Sequence, residues 1–387
     1  MKTGKNNLKC GFICEFSVCV LFIATLFALI LCLTHNTNPF ANYYNSYSLQ
    51  AERWLSGHLD LGQDYSHLEI AKYDGKFYIS FPPFPTVVLL PFVLVSGVQT
   101  PDSIISIIFS IISAFFALKI AHRFDIYGKR AVFWTLFLIA GSNLLSIMTF
   151  GWVWFMAQTM CFAFLLTSIY FMLSEKTSLC FLFWSFAVGC RPLCAVYFPF
   201  FIYYFIKSGK NIKTLVFSLL PAAFIALFYM VLNHARFGNP LEFGHNYLPE
   251  FLEAEQGQFS VCYMMQNIKN LFRIPFSKEA FQSIKFNGFA FYLVSPIYIA
   301  YAVLFAKSKK EPCSLLLLSL IILNLLLLTM HKTMGGWHFG NRYTVDALPF
   351  VYLGCMMSYK KGYEKLFIPL AVFGFVLNLL GTVWVFN

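Results

Sequence analysis

Five carboxylates stand in one polar stretch of an otherwise apolar chain: Glu52, Asp60, Asp64, Glu69 and Asp74 lie between Thr34 and Phe81. A carboxylate so placed can act as a general base. It would draw the proton from an acceptor hydroxyl while a sugar departs from a phosphate. Asp60 and Asp64 are the candidates for that base, and Glu52 and Asp74 for contacts to substrate. The competing reading makes them ordinary solvated charges on an outer loop.

An anionic leaving group needs a cation. Arg191 is embedded between apolar runs in Gly189-Cys190-Arg191-Pro192. A charge at that depth is costly and usually functional, and a guanidinium matches phosphate oxygens two at a time. The alternative is an arginine that snorkels to the interface beside a helix break. Arg342 is the second candidate phosphate ligand, in a short segment running from His331 to Tyr343 that also holds Gly335, Gly336 and Gly340. Its Trp337, His338 and Tyr343 are candidate substrate contacts, because glycines let backbone approach a ligand closely. The alternative there is a tight connector with belt aromatics. His58, His67, His245, His331 and His338 lack metal-ligand spacing, so no metal site or cofactor is expected. Glu242, Glu250, Glu253 and Glu255 read as a solvated face, with a metal-assisting role left open. No strand-bound glycine signature is present, which argues against a sugar nucleotide as direct donor.

These groups must be positioned by membrane helices. Of the residues 59% are hydrophobic and 12% charged, with mean hydropathy +0.67, against about 25% charged in soluble domains. Runs near the ~20 residues that cross a bilayer recur throughout: about 11–33, 102–121, 131–148, 152–173, 178–190, 193–206, 214–233, 287–307, 313–330, 345–358 and 366–386. The expected fold is therefore all-α, a polytopic membrane protein of about 10–12 spans forming one integral domain over 1–387. The run 11–33 lacks a small-residue cleavage site and reads as a retained anchor.

The net charge of +11 does not mark a nucleic-acid binder. Lysines and arginines gather in alternate short loops, at Lys2, Lys5 and Lys9, Arg123 to Arg130, Lys207 to Lys213, Lys307 to Lys310 and Lys360 to Lys365. That is the positive-inside pattern, and it places the N-terminus on the cytoplasmic side of the membrane. Ten of the eleven cysteines lie in or beside apolar spans; only Cys262 falls in a long outer loop, so no disulfide set is implied.

Two outer loops are long, 34–83 and 234–286. In the first, Tyr47, Ala51, Trp54 and Leu55 form one helical stripe expected at the interface. Asp74-Gly75 between aromatic flanks signals a hairpin turn. In the second, Val261, Met264, Met265, Ile268, Leu271 and Phe272 make another stripe. The stretch 84–98, with Pro91 inside, is short for a span and is expected to be re-entrant or steeply tilted. Pro192 is expected to break one span into two half-helices.

The order of these segments is familiar. Tyr43-Tyr44, Leu49-Gln50-Ala51-Glu52-Arg53-Trp54-Leu55-Ser56-Gly57, Leu59-Asp60-Leu61, Tyr73-Asp74-Gly75-Lys76-Phe77-Tyr78 and Phe81-Pro82-Pro83 follow the first span. Gly189-Cys190-Arg191-Pro192, the run Arg236 to Gly244 and Phe339-Gly340-Asn341-Arg342-Tyr343 come later. In this the chain resembles the GT-C superfamily of membrane glycosyltransferases, which includes protein O-mannosyltransferases and aminoarabinose transferases, and within it a bacterial branch. The resemblance implies transfer of a sugar from a polyprenyl-phosphate donor to an acceptor at the outer face, with a first-loop acid as base and arginines on the donor phosphate. The chain departs from the pattern twice. Asn42-Tyr43 stands where such enzymes usually carry an acid, and Phe81 where a lysine often precedes the paired prolines. Asp60 or Asp64 would have to substitute, or the chain has lost the activity. The alternative function is a transporter or flippase of a lipid-linked glycan. Transporters tend to show paired interrupted helices, and the sequence signals one interruption without a partner.

Overall fold

A chain in hydrocarbon can satisfy its backbone polar groups only within the segment itself, so the apolar runs become helices. The computed structural model describes residues 2–34, 38–40, 42–274, 288–335 and 338–387, with side chains from Cys10 onward. Helix α1 (Lys2–Leu33) leads to α2 (Ser46–Leu55), a hairpin of β1 (Ile70–Tyr73) and β2 (Lys76–Ile79), and α3 (Phe84–Ser96). Then follow α4 (Asp102–Arg123), α5 (Lys129–Ile139), α6 (Leu144–Thr149), α7 (Val153–Leu173), α8 (Thr177–Val188), α9 (Phe198–Lys207) and α10 (Ile212–Phe237). The second outer loop carries α11 (Pro249–Leu252) and α12 (Met264–Phe272). The chain closes with α13 (Phe291–Val294), α14 (Ile297–Lys307), α15 (Pro312–Leu328), α16 (Leu348–Met357) and α17 (Glu364–Phe386).

Among the described residues α1, α4, α7, α10 and α17 are long and apolar enough to cross a membrane, and five shorter apolar helices join them. The protein is a polytopic helical membrane protein. Helix α7 is its axis, with 89% of its apolar window buried against 28% in α1, α10 and α17. The outer face of α10 instead turns Phe217, Leu220, Phe224 and Val231 outward, as a lipid-facing helix should.

Asp74 (φ 48°) and Gly75 (φ 72°) both sit in the left-handed region, so the expected Asp-Gly turn closes the β1–β2 hairpin. Helix α3 begins at the wall of the large cavity described below and ends at a 3₁₀ turn over Gly97–Gln99. There Asn45 Nδ2 donates to the Val98 carbonyl at 3.3 Å and Asn42 Nδ2 to that of Thr100 at 2.7 Å. Both ends of α3 are thus tied to the first outer loop, and its 13 residues run as one continuous helix. The α2 stripe divides: Tyr47 and Ala51 are buried against protein while Leu55 is exposed. The reason is that α2 packs on α3, where Thr86 Oγ1 donates to Gln50 Oε1 at 2.6 Å. The α12 stripe divides too, with Leu271 buried and Val261, Met265 and Phe272 exposed. All eleven cysteines are unpaired thiols. Glu15 accepts from the Gly128 amide and meets His122 Nε2, each at 2.6 Å, which ties α1 to the start of α5.

Candidate active site

A cavity of about 700 Å³ opens among α7, the first and second outer loops and two short 3₁₀ turns. The first turn, Pro192–Tyr197, separates α8 from α9 where Pro192 signals a break. The second, Arg342–Ala347, precedes α16. Each turn brings one arginine to the cavity, and each runs into a helix with a proline in its first turn, Pro199 or Pro349. The second turn follows a loop rather than a helix, so among the described residues only the first breaks a span. The Tyr197 and Phe350 rings stack at 3.6 Å and lock the two turns together.

The second turn also carries Asp346, 2% exposed. Arg191 Nε donates to its Oδ2 at 3.0 Å, and Gln158 Nε2 on α7 donates to its Oδ1 at 2.5 Å. The same Gln158 nitrogen reaches the Arg342 carbonyl at 2.7 Å. Arg342 is fixed separately: its Nε and Nη2 donate to the Gly335 carbonyl at 2.9 and 2.7 Å. Gly335 holds φ at +108°, a conformation side chains resist. Both guanidiniums flank the Tyr343 ring, at 4.5 Å for Arg191 and 5.0 Å for Arg342. Arg342 Nη1 is buried and has no hydrogen-bond partner. Burial, aided by nearby Arg191, pulls the Arg342 guanidinium down to about 10, so it stays charged at neutral pH. A buried unpaired donor on a cation is costly, and the residue that carries it lines the cavity.

The acids that line the cavity are Glu69, Glu242 and Glu250. Glu69 precedes β1, and the Ser80 hydroxyl donates to its carbonyl at 2.9 Å. Its Oε2 accepts from Trp154 Nε1 at 3.0 Å. Burial raises the Glu69 carboxyl above the ordinary value, with Glu250 adding to the rise while the indole and Arg342 oppose it. Glu242 is spent on its own loop, accepting from the Gly244 amide and the Asn246 side chain at 2.6 and 2.7 Å. His245 Nδ1 donates to the Ser80 carbonyl at 3.2 Å, and burial pulls this imidazole down to about 4, so it is neutral. His331 is likewise held well below its ordinary value by burial, His245 and the two arginines. Among the described residues no three potential metal ligands gather.

Arg191, Arg342 and Tyr343 therefore come together, as their sequence context implies. Asp60 and Asp64 do not join them. Asp60 Oδ2 accepts from the Gly62 amide at 2.9 Å and lies 4.0 Å from Arg53, while Asp64 is exposed; neither lines the cavity. Glu52 and Asp74 are exposed away from it, on α2 and on the hairpin turn. His338 is buried outside the lining, and Trp337 lies outside the described residues. Two groups had no role in the sequence reading. Asp346 carried a signal, an acid inside an apolar run. Glu69 carried none beyond its place on the loop.

No family model matches the sequence, and no curated protein matches it. The shape does match. A crystal structure of ArnT from Cupriavidus metallidurans bound to undecaprenyl phosphate superimposes with a TM-score of 0.55, over 94% of this chain and 76% of that one, at 12% identity. This chain has a GT-C-like fold. The apo structure of the same ArnT gives a TM-score of 0.47 at 13% identity, over 87% of this chain and 59% of that one. The GT-C-like fold accounts for the architecture above: a helical membrane body, an outer loop with α2 folded back upon it, and a chamber between them.

Proposed function

We propose that the protein is a glycosyltransferase that moves a sugar from a polyprenyl-phosphate donor to an acceptor hydroxyl at the outer membrane face. What carries the reading is that Glu69, Arg191 and Arg342 line one cavity. Glu69 takes the role of base in place of Asp60 and Asp64. It accepts the acceptor's proton as that oxygen forms its bond to the anomeric carbon. The bond from that carbon to the phosphate oxygen breaks, and the electron pair leaves with the prenyl phosphate. Arg191 and Arg342 offset the charge of that leaving group. Glu69 is suited to this because burial brings its carboxyl closer to neutral pH, where a base works best. The undecaprenyl phosphate held by the ArnT neighbour supports a lipid phosphate as ligand. The same polarity puts the N-terminus in the cytoplasm.

The break between α8 and α9 favours a second reading, a flippase of a lipid-linked glycan, although transporters tend to carry such breaks in pairs. The acid beside the arginines supports the enzyme instead, since lipid translocation needs no base. The deciding experiment is transfer of radiolabelled sugar from a polyprenyl-phosphate sugar into membrane acceptors. Glu69→Gln should abolish transfer while donor binding persists. Unimpaired transfer by Glu69→Gln, or lipid flipping without any transfer, would overturn the proposal.

A further inference from the structure

A line of aromatic rings leaves the cavity beside Glu69 and reaches the surface. Trp154, whose indole holds the Glu69 carboxylate, lines the cavity. The Tyr44 ring lies 5.0 Å from it and 5.0 Å from Trp152. Tyr43 follows at 4.8 Å from Tyr44 and is 63% exposed. His67 comes next at 5.4 Å from Tyr43. These contacts are tilted or edge-to-face, at 51° for Tyr44 with Trp154 and 84° for Tyr43 with Tyr44, and Trp152 also stacks on Phe155 at 14°, so Tyr44, Trp152 and Trp154 are half-buried and each keeps part of its surface open. None of these rings touches the arginines, and the donor chemistry leaves them without a task.

Tyrosine and tryptophan combine a broad apolar face with a polar tip. Such a surface suits a ligand with an apolar face and a polar rim, which is the build of a pyranose ring. A prenyl or acyl chain has no polar rim to use the phenol and indole groups. The strip's inner end is the Glu69 carboxylate, so whatever lies along it delivers its end group to that acid. Successive steps of 5.0 and 4.8 Å leave room for more than one sugar ring.

We infer that Tyr43, Tyr44, Trp152 and Trp154 form an acceptor subsite for a saccharide chain, whose terminal hydroxyl is presented to Glu69. The acceptor of the reaction is then a glycan. This rests on the assignment of Glu69 as base.

The test uses the full chain in lipid nanodiscs without donor. Binding is read by intrinsic tryptophan fluorescence and saturation-transfer NMR against a panel of envelope oligosaccharides, a serine- and threonine-rich peptide, and vesicles of phosphatidylethanolamine and phosphatidylglycerol. Undecaprenyl phosphate affinity is measured on every sample. At least one oligosaccharide should bind, with affinity reduced about tenfold by Trp152→Ala or by the surface change Tyr43→Ala and largely kept by Trp152→Phe. Undecaprenyl phosphate affinity should not change in these variants. Panel-wide absence of saccharide binding, equal binding by wild type and Tyr43→Ala, or selective binding of the peptide or the vesicles would overturn the subsite alone. Failure of the wild type to bind undecaprenyl phosphate would instead overturn the transferase reading.

Discussion

Arg191 and Asp346, 155 positions apart in sequence, meet at 3.0 Å beneath the cavity, with the carboxylate almost wholly sealed from solvent. The acid's second oxygen is occupied by Gln158, so the guanidinium is aimed by a carboxylate that cannot itself swing away.

Removing that acid should misplace the arginine and strand a buried charge. Breaking one side of a buried ion pair costs about 3–5 kcal/mol. Asp346→Ala should therefore lower thermal stability and raise the donor KM. The milder Asp346→Asn should raise KM with kcat nearly kept, and an unchanged KM in both would show that Arg191 needs no positioning.

Glu69 gives a pH signature. Its carboxyl titrates above the ordinary value because it is buried. The base acts when deprotonated, so transfer should fall on the acid side at a pH higher than usual for a carboxylate. Trp154→Phe removes a hydrogen bond that favours the charged form, and the acid limb should move further up. Stability runs the other way. A raised folded pKa contributes stability at low pH that is lost as pH rises through it. Glu69→Gln should thus melt higher than wild type at neutral pH while being inactive, which differential scanning fluorimetry and transfer assays can check together.

Arg342 needs its fork. Two of its nitrogens are held by the Gly335 carbonyl and the third is buried without a hydrogen-bond partner. Lysine offers one ammonium and cannot do both. Arg342→Lys should weaken undecaprenyl phosphate binding about tenfold or more, the loss of one charge-assisted bond, nearly as much as Arg342→Ala. Full retention by lysine would mean that charge alone suffices.

Gly335 sets the same fork from the other side. A Cβ there would lie 3.0 Å from the Tyr343 ring and 3.1 Å from Arg342 Nε, at a φ of +108°. Gly335→Ala should cost about 1–3 kcal/mol and lower ligand affinity in isothermal titration, although residue 335 carries no functional group.

Asp60 and Asp64 should be dispensable for chemistry. Asp60→Asn and Asp64→Asn, singly or together, should leave kcat within about threefold, the ordinary spread of single contributions. Loss of activity comparable to Glu69→Gln would return the base to this part of the loop.

The helical membrane body, the hairpin turn and the break at Pro192 were legible because each follows from local chemistry: apolar run length, an Asp-Gly pair, a ring without an amide hydrogen. Arg191 and Arg342 were legible because charge beside hydrocarbon is conspicuous. Glu69 was not. Nothing near it in sequence distinguishes it from Asp64, five residues earlier. Its distinction comes from burial and from Trp154, 85 positions away, and no period or motif encodes that meeting. The stripes of α2 and α12 misled for a related reason. A helical stripe marks an apolar face but not whether lipid or protein will cover it.

The stacking of Tyr197 on Phe350 has a mechanical implication. With those rings in face-to-face contact, the two arginine-bearing turns form one rigid floor, and neither cation can retreat without the other. Exchange of a bulky lipid product must then proceed by movement elsewhere in the lining, so pinning the Tyr197–Phe350 contact should cost nothing.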